Sequence, residues 1–205
     1  MSAFLAALRP HPVTAGLLAC SLLGFLLIYL RAPLAWVSLF TFTPFELRGS
    51  SLVFREAGGE PWRLITPAFL HFNWLHIVFN GLWTWELGRR IETAVGSARL
   101  FGLFLCVAVV SNVSQYLFGG PGLFGGMSGV VYGFLGFAWL GERLNGRWRM
   151  APPPGVMAFM LGWLVICVLG VIEVLGFGAI ANAAHVGGLL AGLLLALPLA
   201  ALARR

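Results

Sequence analysis

The chain has 205 residues, of which 60% are hydrophobic and 10% are charged. A soluble domain averages about 25% charged residues, so this composition excludes a soluble globular protein and is typical of a protein embedded in lipid. The formal charge of +6 comes entirely from arginine and glutamate, because the sequence contains neither Asp nor Lys. A Ser-His-Asp triad, a Ser-Lys dyad, a Schiff-base lysine and an aspartyl dyad are therefore excluded.

Apolar runs predict an all-α membrane protein, a bundle of six transmembrane helices in a single domain that covers residues 1–205. Helices are expected because only helices or closed barrels satisfy every backbone polar group in lipid. The predicted spans are about 13–30, 65–88, 100–118, 128–141, 156–177 and 181–202. The first run is longer than the core of a cleaved signal peptide, so we expect a retained helix. We expect no soluble accessory domain.

The segment 31–64, between the first two spans, is long and interrupted by prolines and glycines, and it carries several aromatic residues. Such a composition favours a partly embedded interfacial loop over another span. At its end, Trp62 and Arg63 are predicted to be interfacial anchors. On the far side of the second span, Glu92 is expected to form a polar network with Arg89 and Arg90.

The arginines predict how the bundle is oriented. With the N-terminus in the cytoplasm, four arginines fall outside, all in the long loop: Arg31, Arg48, Arg55 and Arg63. The other nine fall inside: Arg9, Arg89, Arg90, Arg99, Arg143, Arg147, Arg149, Arg204 and Arg205. The positive-inside rule thus predicts a multi-pass protein of the inner membrane with both termini in the cytoplasm. The same pattern favours membrane orientation over nucleic-acid binding as the role of the basic charge.

Polar residues inside the predicted spans are functional candidates, because an unsatisfied polar group in a bilayer costs several kcal/mol. They concentrate in three places: His71, Asn73, His76 and Asn80 in the second span, Ser128 at the start of the fourth, and Asn182 and His185 in the sixth. The glycine-rich segment 119–127 precedes Ser128. From Ser128 to Glu142 a helix rises about 21 Å, which is about 9 Å short of a hydrocarbon core of about 30 Å. Non-helical backbone at that depth predicts a submerged aqueous pocket that opens to the outer side.

Ser128 and His185 are predicted to form a catalytic dyad in this pocket. Gly126 and Gly129 flank the serine, permit close backbone approach and place its hydroxyl at a loop-to-helix turn, where free amides can bind an oxyanion. A serine needs a base to become nucleophilic at neutral pH, and His185 is the one histidine away from the second span and the N-terminal region. Tyr132, one turn after the serine, either packs against the His185 ring or fills core.

The second span is predicted to supply the oxyanion hole. His76 and Asn80 are four residues apart, so they share one helix face, and their side chains lean toward the pocket. Both carry N–H donors that suit a tetrahedral oxyanion together with the Ser128 backbone N–H. His71 lies five residues from His76, about 140° around a helix axis, and this offset argues against a metal or haem site of His71, His76 and His185.

Small residues predict that the fourth and sixth spans pack closely. Gly129, Gly133 and Gly136 match Gly188 and Gly192 in a pattern that lets two helix backbones approach each other. Such packing is what a Ser–His hydrogen bond of about 2.6–3.2 Å requires. The cysteines lie in apolar runs at unrelated spacings and are expected to be core residues: Cys20, Cys106 and Cys167.

Three ordered motifs resemble a known family. HFNWLHIVFN (71–80), GMSGVVY (126–132) and AHVGG (184–188) are similar to those of the rhomboid intramembrane serine proteases, in the bacterial GlpG-like six-helix form. The resemblance implies that Ser128 is the nucleophile and His185 the general base. It implies an oxyanion hole of His76, Asn80 and the Ser128 amide, and a Tyr132 ring stacked on His185. His71, Trp62, Arg63 and Glu92 would be structural, and the fifth helix with the loop after it would gate lateral substrate access.

The partner implied by the resemblance is the transmembrane segment of another membrane protein, which enters from the bilayer and is unwound locally before cleavage. No metal or cofactor is expected. An alternative is a catalytically inactive rhomboid-like protein that binds membrane proteins, which should lack the serine or the histidine. An ion or solute carrier is less favoured, because the spans offer only Glu86 and Glu173 near their ends.

Overall fold

The computed structural model describes residues 9–176 and 179–202. Within these residues, six long helices follow the predicted order, and two short ones accompany them. The helices are α1 (Pro12–Tyr29), α2 (Leu34–Phe40), α3 (Trp74–Val95), α4 (Ser97–Gly119), α5 (Ser128–Leu144), α6 (Pro154–Val168), α7 (Val171–Val174) and α8 (Asn182–Leu202). The strands are β1 (Phe45–Arg48) and β2 (Ser51–Phe54). The chain is thus mostly helical.

Two helices, α1 and α4, are long and apolar enough to cross a membrane by length and composition, and α6 and residues 182–198 of α8 are shorter apolar helices. Helix α3 is less apolar because its second half carries charged residues. Phe177, Arg204 and Arg205, which belong to the predicted end of the fifth span and the predicted cytoplasmic charge, lie outside the described residues.

The predicted start of the second span at residue 65 is wrong. Two short 3-10 helices, Pro61–Leu64 and Thr66–Phe69, occupy this stretch, and α3 begins only at Trp74. Each short helix has a proline in its first turn, where the missing N–H is tolerated. The same prolines prevent one continuous helix from running through this stretch. Asn73 then caps α3, because its Oδ1 accepts the His76 N–H at 2.8 Å.

The predicted fifth span is also interrupted. Helix α6 ends at Val168, and Gly170 has φ +73°, a left-handed conformation that ends a helix and suits glycine. The short α7 follows. The chain therefore forms two helices where one was predicted.

The loop 31–64 is ordered by its own secondary structure, which the sequence analysis missed. Helix α2 is followed by an antiparallel hairpin of β1 and β2, whose register pairs Phe45 with Phe54 and Arg48 with Ser51. Glu46 on β1 accepts hydrogen bonds from Arg55 and Arg48, which hold the pKa of its carboxyl below the ordinary value.

Arg63 is not the interfacial anchor that was predicted. The residue is 5% exposed, and its guanidinium donates to the carbonyls of Ser38 and Thr41 and pairs with Glu60. Arg63 therefore holds the loop together from within. Trp62 is half-exposed, as an anchor would be, and its Nε1 donates to the Leu39 carbonyl at 3.0 Å.

The predicted network of Glu92 with Arg89 and Arg90 does not form. Those two arginines pair with Glu86. The Glu92 carboxylate instead accepts three hydrogen bonds from the start of α1, two from backbone N–H groups and one from the Thr14 hydroxyl at 2.7 Å, and a fourth from Ser97. A carboxylate there satisfies N–H groups that a helix start leaves unpaired.

The core lies around α5. Every residue from Gly129 to Ala138 is buried, and α5 packs against α8, α4 and α3. A helix that is apolar on all sides is expected at the centre of a bundle. Of the three cysteines only Cys167 is buried, so the expectation that Cys20 and Cys106 are core residues is wrong.

Candidate active site

Ser128 is the first residue of α5, directly after a glycine-rich loop. The N–H groups of a first helical turn have no acceptor within their own helix, so the Ser128 N–H is available to a ligand. The preceding Gly126 has φ +110°, which disfavours any residue with a Cβ, and its N–H donates to the Pro67 carbonyl at 2.9 Å. The loop is thereby tied to the segment that leads into α3.

His185 lies in the first turn of α8 and reaches Ser128. Its Nε2 is 2.8 Å from the Ser128 Oγ, and the residue is 5% exposed. If the hydroxyl donates to Nε2, the neutral ring carries its proton on Nδ1. Among the described residues, Nδ1 is buried without a hydrogen-bond partner. The structure thus brings the two predicted residues together, with no carboxylate from the described part of the chain behind the imidazole.

Glycines set the close approach of α5 and α8. A Cβ at Gly188 would overlap the carbonyl oxygen of Gly129, and a Cβ at Gly192 would overlap that of Gly133. The predicted packing of the two glycine-bearing faces is confirmed. Because the two backbones are in contact at Gly188, the side chains of Ser128 and of His185, one turn before Gly188, are long enough to meet.

His76 and Asn80 flank the loop before Ser128. A Cβ at Gly126 would overlap the His76 imidazole and would lie 3.6 Å from the Asn80 Nδ2. Asn80 is 5% exposed, and its Nδ2 donates to the His76 carbonyl of the same helix at 3.0 Å. One of its two N–H donors is therefore used within α3, and the other remains for a ligand.

His71 lies before α3 rather than on it, so the predicted 140° offset from His76 is wrong. The two rings are 4.9 Å apart. His71 Nδ1 lies 3.0 Å from the Phe69 carbonyl, and its Nε2 accepts the Met127 N–H at 3.4 Å. These contacts fix a neutral ring with its proton on Nδ1, and they hold the residue before Ser128 in place. No group of three or more His, Cys, Asp or Glu side chains suited to a metal ion occurs in residues 9–176 and 179–202.

A family model described as the rhomboid domain matches residues 58–202. The chain belongs to the rhomboid family.

Curated relatives of this rhomboid are described as rhomboid protease GlpG. The protein of Serratia proteamaculans is 51% identical over 136 residues, or 66% of this chain and 47% of that protein. The protein of Yersinia pestis is 48% identical over 136 residues, or 66% of this chain and 47% of that protein. That of Photorhabdus laumondii is 47% identical over 139 residues, or 67% of this chain and 47% of that protein. The chain spans about half the length of the curated relatives it matches. With its apolar helices, this relationship indicates a multi-pass inner-membrane protein.

Tyr132 of this rhomboid both packs against the His185 ring and fills core, the two roles between which the sequence left a choice. Its ring centroid is 5.0 Å from that of His185, with the planes inclined by 43°, and the residue is buried. Its hydroxyl donates to the Met160 carbonyl of α6 at 3.0 Å. Tyr132 thus touches the imidazole and also connects the site to α6.

Sequence analysis missed the polar residues of α4 that support His185. Ser111 Oγ donates to the Ala184 carbonyl at 3.0 Å, and Gln115 Oε1 accepts the Ala184 N–H at 3.2 Å. Both contacts fix the first turn of α8, next to His185. The signal was present, since Ser111 and Gln115 are polar residues within a predicted span.

Proposed function

We propose that the chain is an intramembrane serine endopeptidase in which Ser128 is the nucleophile and His185 the general base. The observation that carries this proposal is the 2.8 Å contact between the Ser128 Oγ and the His185 Nε2. The relatives described as rhomboid proteases support it. An inactive binding protein would not need a buried serine and histidine in hydrogen-bonding contact, so this contact favours the enzyme.

The chemistry begins when Ser128 Oγ attacks a peptide carbonyl carbon and its proton passes to His185 Nε2. The tetrahedral intermediate collapses as His185 returns this proton to the leaving amine, which breaks the peptide bond and leaves an acyl-enzyme. A water molecule then loses a proton to His185 and hydrolyses the ester, which restores the serine hydroxyl. Because no carboxylate of the described residues contacts His185 Nδ1, we expect slow turnover.

The oxyanion of the intermediate would be bound by the Ser128 N–H, an Asn80 N–H and the His76 side chain. Both side chains flank Gly126, two residues before the serine, and both can donate. Loss of one such donor typically costs about 2.7–4 kcal/mol in the transition state. Gly126, Gly129, His71 and Tyr132 would support this arrangement without touching the reacting atoms.

The six long helices would be the membrane spans, with both termini in the cytoplasm and the site open to the outer side. The distribution of arginines supports this orientation. The substrate would be a transmembrane segment that reaches the site laterally from the bilayer. Such a segment must unwind locally, because the carbonyls of an intact helix are shielded by hydrogen bonds.

Labelling with a fluorophosphonate serine probe tests the proposal. The purified chain in detergent should be labelled, whereas Ser128→Ala and His185→Ala should lose labelling and cleavage of a transmembrane model substrate. Ser51→Ala, at an exposed serine of the hairpin, is the matched control and should be labelled like the unaltered chain. Equal labelling of the unaltered chain and Ser128→Ala would refute the assignment.

A further inference from the structure

A cleft lies at the end of α5 that is remote from Ser128. It has a volume of about 710 Å³ and is bounded by the last turns of α5, the following loop and the first turns of α6. The residues that matter for its chemistry are Arg90, Trp139, Glu142, Arg143, Met157 and Leu161. We call it the basal cleft. None of the proposed catalytic residues lines it.

The rim of the basal cleft is basic. The Arg143 guanidinium carbon lies 4.4 Å from the centre of the Trp139 ring, and the side chain is exposed. Arg147 and Arg149, in the adjoining loop, are also exposed. Within the described part of the chain, none of these three arginines has a carboxylate within 4.0 Å. An anion at the rim would therefore meet guanidinium groups that are not already paired.

The two acidic residues near the rim are engaged elsewhere. Glu142 Oε2 accepts the N–H groups of Met150 and Ala151, each at 2.7 Å, and so is directed at the loop backbone. Glu86 pairs with Arg90. The arginine next to the cleft wall, Arg90, is thus partly neutralised, and Arg143 remains the main free cation at the mouth.

The cleft becomes apolar away from the rim. Trp139 lies four residues before Arg143, about 6 Å deeper along α5. On the facing wall, Leu161 lies seven residues after Pro154, about 10 Å deeper along α6, and Met157 lies between them. A ligand that fills the cleft would be charged at one end and apolar along its length.

The wall of the cleft near the rim is stiff. Pro152, Pro153 and Pro154 follow one another, and Pro153 has φ −52° and ψ 148°, an extended proline conformation. Proline fixes φ and has no N–H, so the three prolines present no backbone donor to be satisfied and lose little freedom when a ligand binds.

We propose that the basal cleft binds an anionic phospholipid, with the phosphate at Arg143 and an acyl chain along Met157 and Leu161. A guanidinium suits a phosphate because it can donate two parallel hydrogen bonds. Basic pockets between transmembrane helices on the cytoplasmic side are suited to anionic headgroups. Inorganic phosphate or a soluble phosphate ester would leave the apolar wall uncovered. The proposal does not depend on the chemistry of Ser128.

Native mass spectrometry of the purified full chain tests this proposal. Phosphatidylglycerol and phosphatidylcholine with identical acyl chains would be added in equal amounts. We expect one phosphatidylglycerol to bind at least about fivefold more tightly than phosphatidylcholine, since the lipids differ mainly in headgroup charge. Arg143→Gln should abolish this preference. Arg99→Gln is the matched control, because Arg99 lies at the same end of the bundle on α4, outside the cleft lining, and its guanidinium donates to the Val95 carbonyl.

A second variant tests the apolar wall. Ala158→Trp, at an exposed residue of the cleft lining, should fill the cleft and reduce phosphatidylglycerol binding with the arginines intact. Glycerol phosphate should not displace the lipid. Equal losses in Arg99→Gln and Arg143→Gln would overturn the proposal in favour of diffuse attraction. Unchanged binding in Ala158→Trp, or displacement by glycerol phosphate, would overturn the role of the acyl chain. Circular dichroism and thermal unfolding of each variant in detergent verify that the protein is folded, independently of any reactivity of Ser128.

Discussion

Helices α8 and α6 both border the candidate site, yet they are attached to it in opposite ways. Helix α8 meets α5 backbone to backbone, so that a Cβ at Gly188 or Gly192 would overlap a carbonyl oxygen. Helix α6 buries only Met160, Leu164 and Cys167, and much of its apolar surface is exposed. The serine and the histidine are thus carried by the closely packed pair, whereas the neighbouring helix is free of such constraints.

The difference shows that the contact between α5 and α8 fixes the distance between Ser128 and His185. A hydrogen bond of 2.8 Å between two helices tolerates little movement, and glycine contacts supply that constancy. Helix α6 is joined to the remainder by a few buried apolar residues and by specific polar contacts, such as that of Tyr132 with the Met160 carbonyl and that of Asn182 with the Cys167 carbonyl at 2.9 Å. The side through which the resemblance implies lateral substrate access is therefore the side with the looser helix.

The largest effect is expected when a methyl group is added to the close interface. Gly188→Ala should separate α5 from α8, because the new Cβ would overlap the Gly129 carbonyl and neither atom is at the end of a flexible side chain. Since a displacement of about 1 Å can cost about 100-fold in rate, we expect fluorophosphonate labelling of Ser128 to slow by at least about that factor. Thermal unfolding in detergent should show a loss of about 1–3 kcal/mol.

Gly162→Ala is the matched control for this substitution. Gly162 lies within α6, and nothing lies within 4 Å of the position that its Cβ would occupy. Alanine favours a helix over glycine by up to about 1 kcal/mol, so this variant should be as stable as the unaltered chain or more stable, with unchanged labelling. Similar losses in both variants would show that the two helices do not differ in the way described.

A smaller effect is expected when a valine is shortened to alanine, either on α4 beside the close α5–α8 interface or on α6. Val107 on α4 is 0% exposed and packs over Gly133, whereas Val165 on α6 is 56% exposed. Val107→Ala should lower the free energy of unfolding by about 2 kcal/mol through lost packing and a residual cavity. Val165→Ala should change it by less than about 0.5 kcal/mol. Denaturation in mixed micelles measures both, and a comparable loss at Val165 would contradict the loose packing of α6.

The sequence predicted those features of the fold and site that depend on local pattern. Each long helix overlaps one of the predicted apolar runs, and the facing glycines of α5 and α8 could be recognised from their spacing. Ser128 and His185 could be paired because the sequence has four histidines and His185 is the one away from the second span and the N-terminal region.

The features that were missed depend on tertiary choices that no local pattern encodes. Glu92 has arginines nearby in sequence, yet its carboxylate binds backbone N–H groups at the start of α1, more than 70 residues away. Arg63 was assigned to an interface by its neighbours, although the loop folds around it. The start of α3 was placed too early because the apolar run 65–72 passes through the proline-containing 3-10 helix Thr66–Phe69, which periodicity does not detect.

The smallest effect is expected at Tyr132, which contacts both His185 of α8 and the Met160 carbonyl of α6. Tyr132→Phe keeps the ring beside His185 and removes only the hydroxyl bond to the Met160 carbonyl, so it should cost about 1 kcal/mol of stability. Labelling of Ser128 should stay within about twofold, because the hydroxyl serves α6 and not the imidazole. Tyr132→Ala also removes the ring contact, which is worth about 0.5–1.5 kcal/mol, and should slow labelling by up to about tenfold. If phenylalanine slows labelling as much as alanine does, then the link to α6, rather than the ring, positions His185, and the two regions are more strongly coupled than their packing implies.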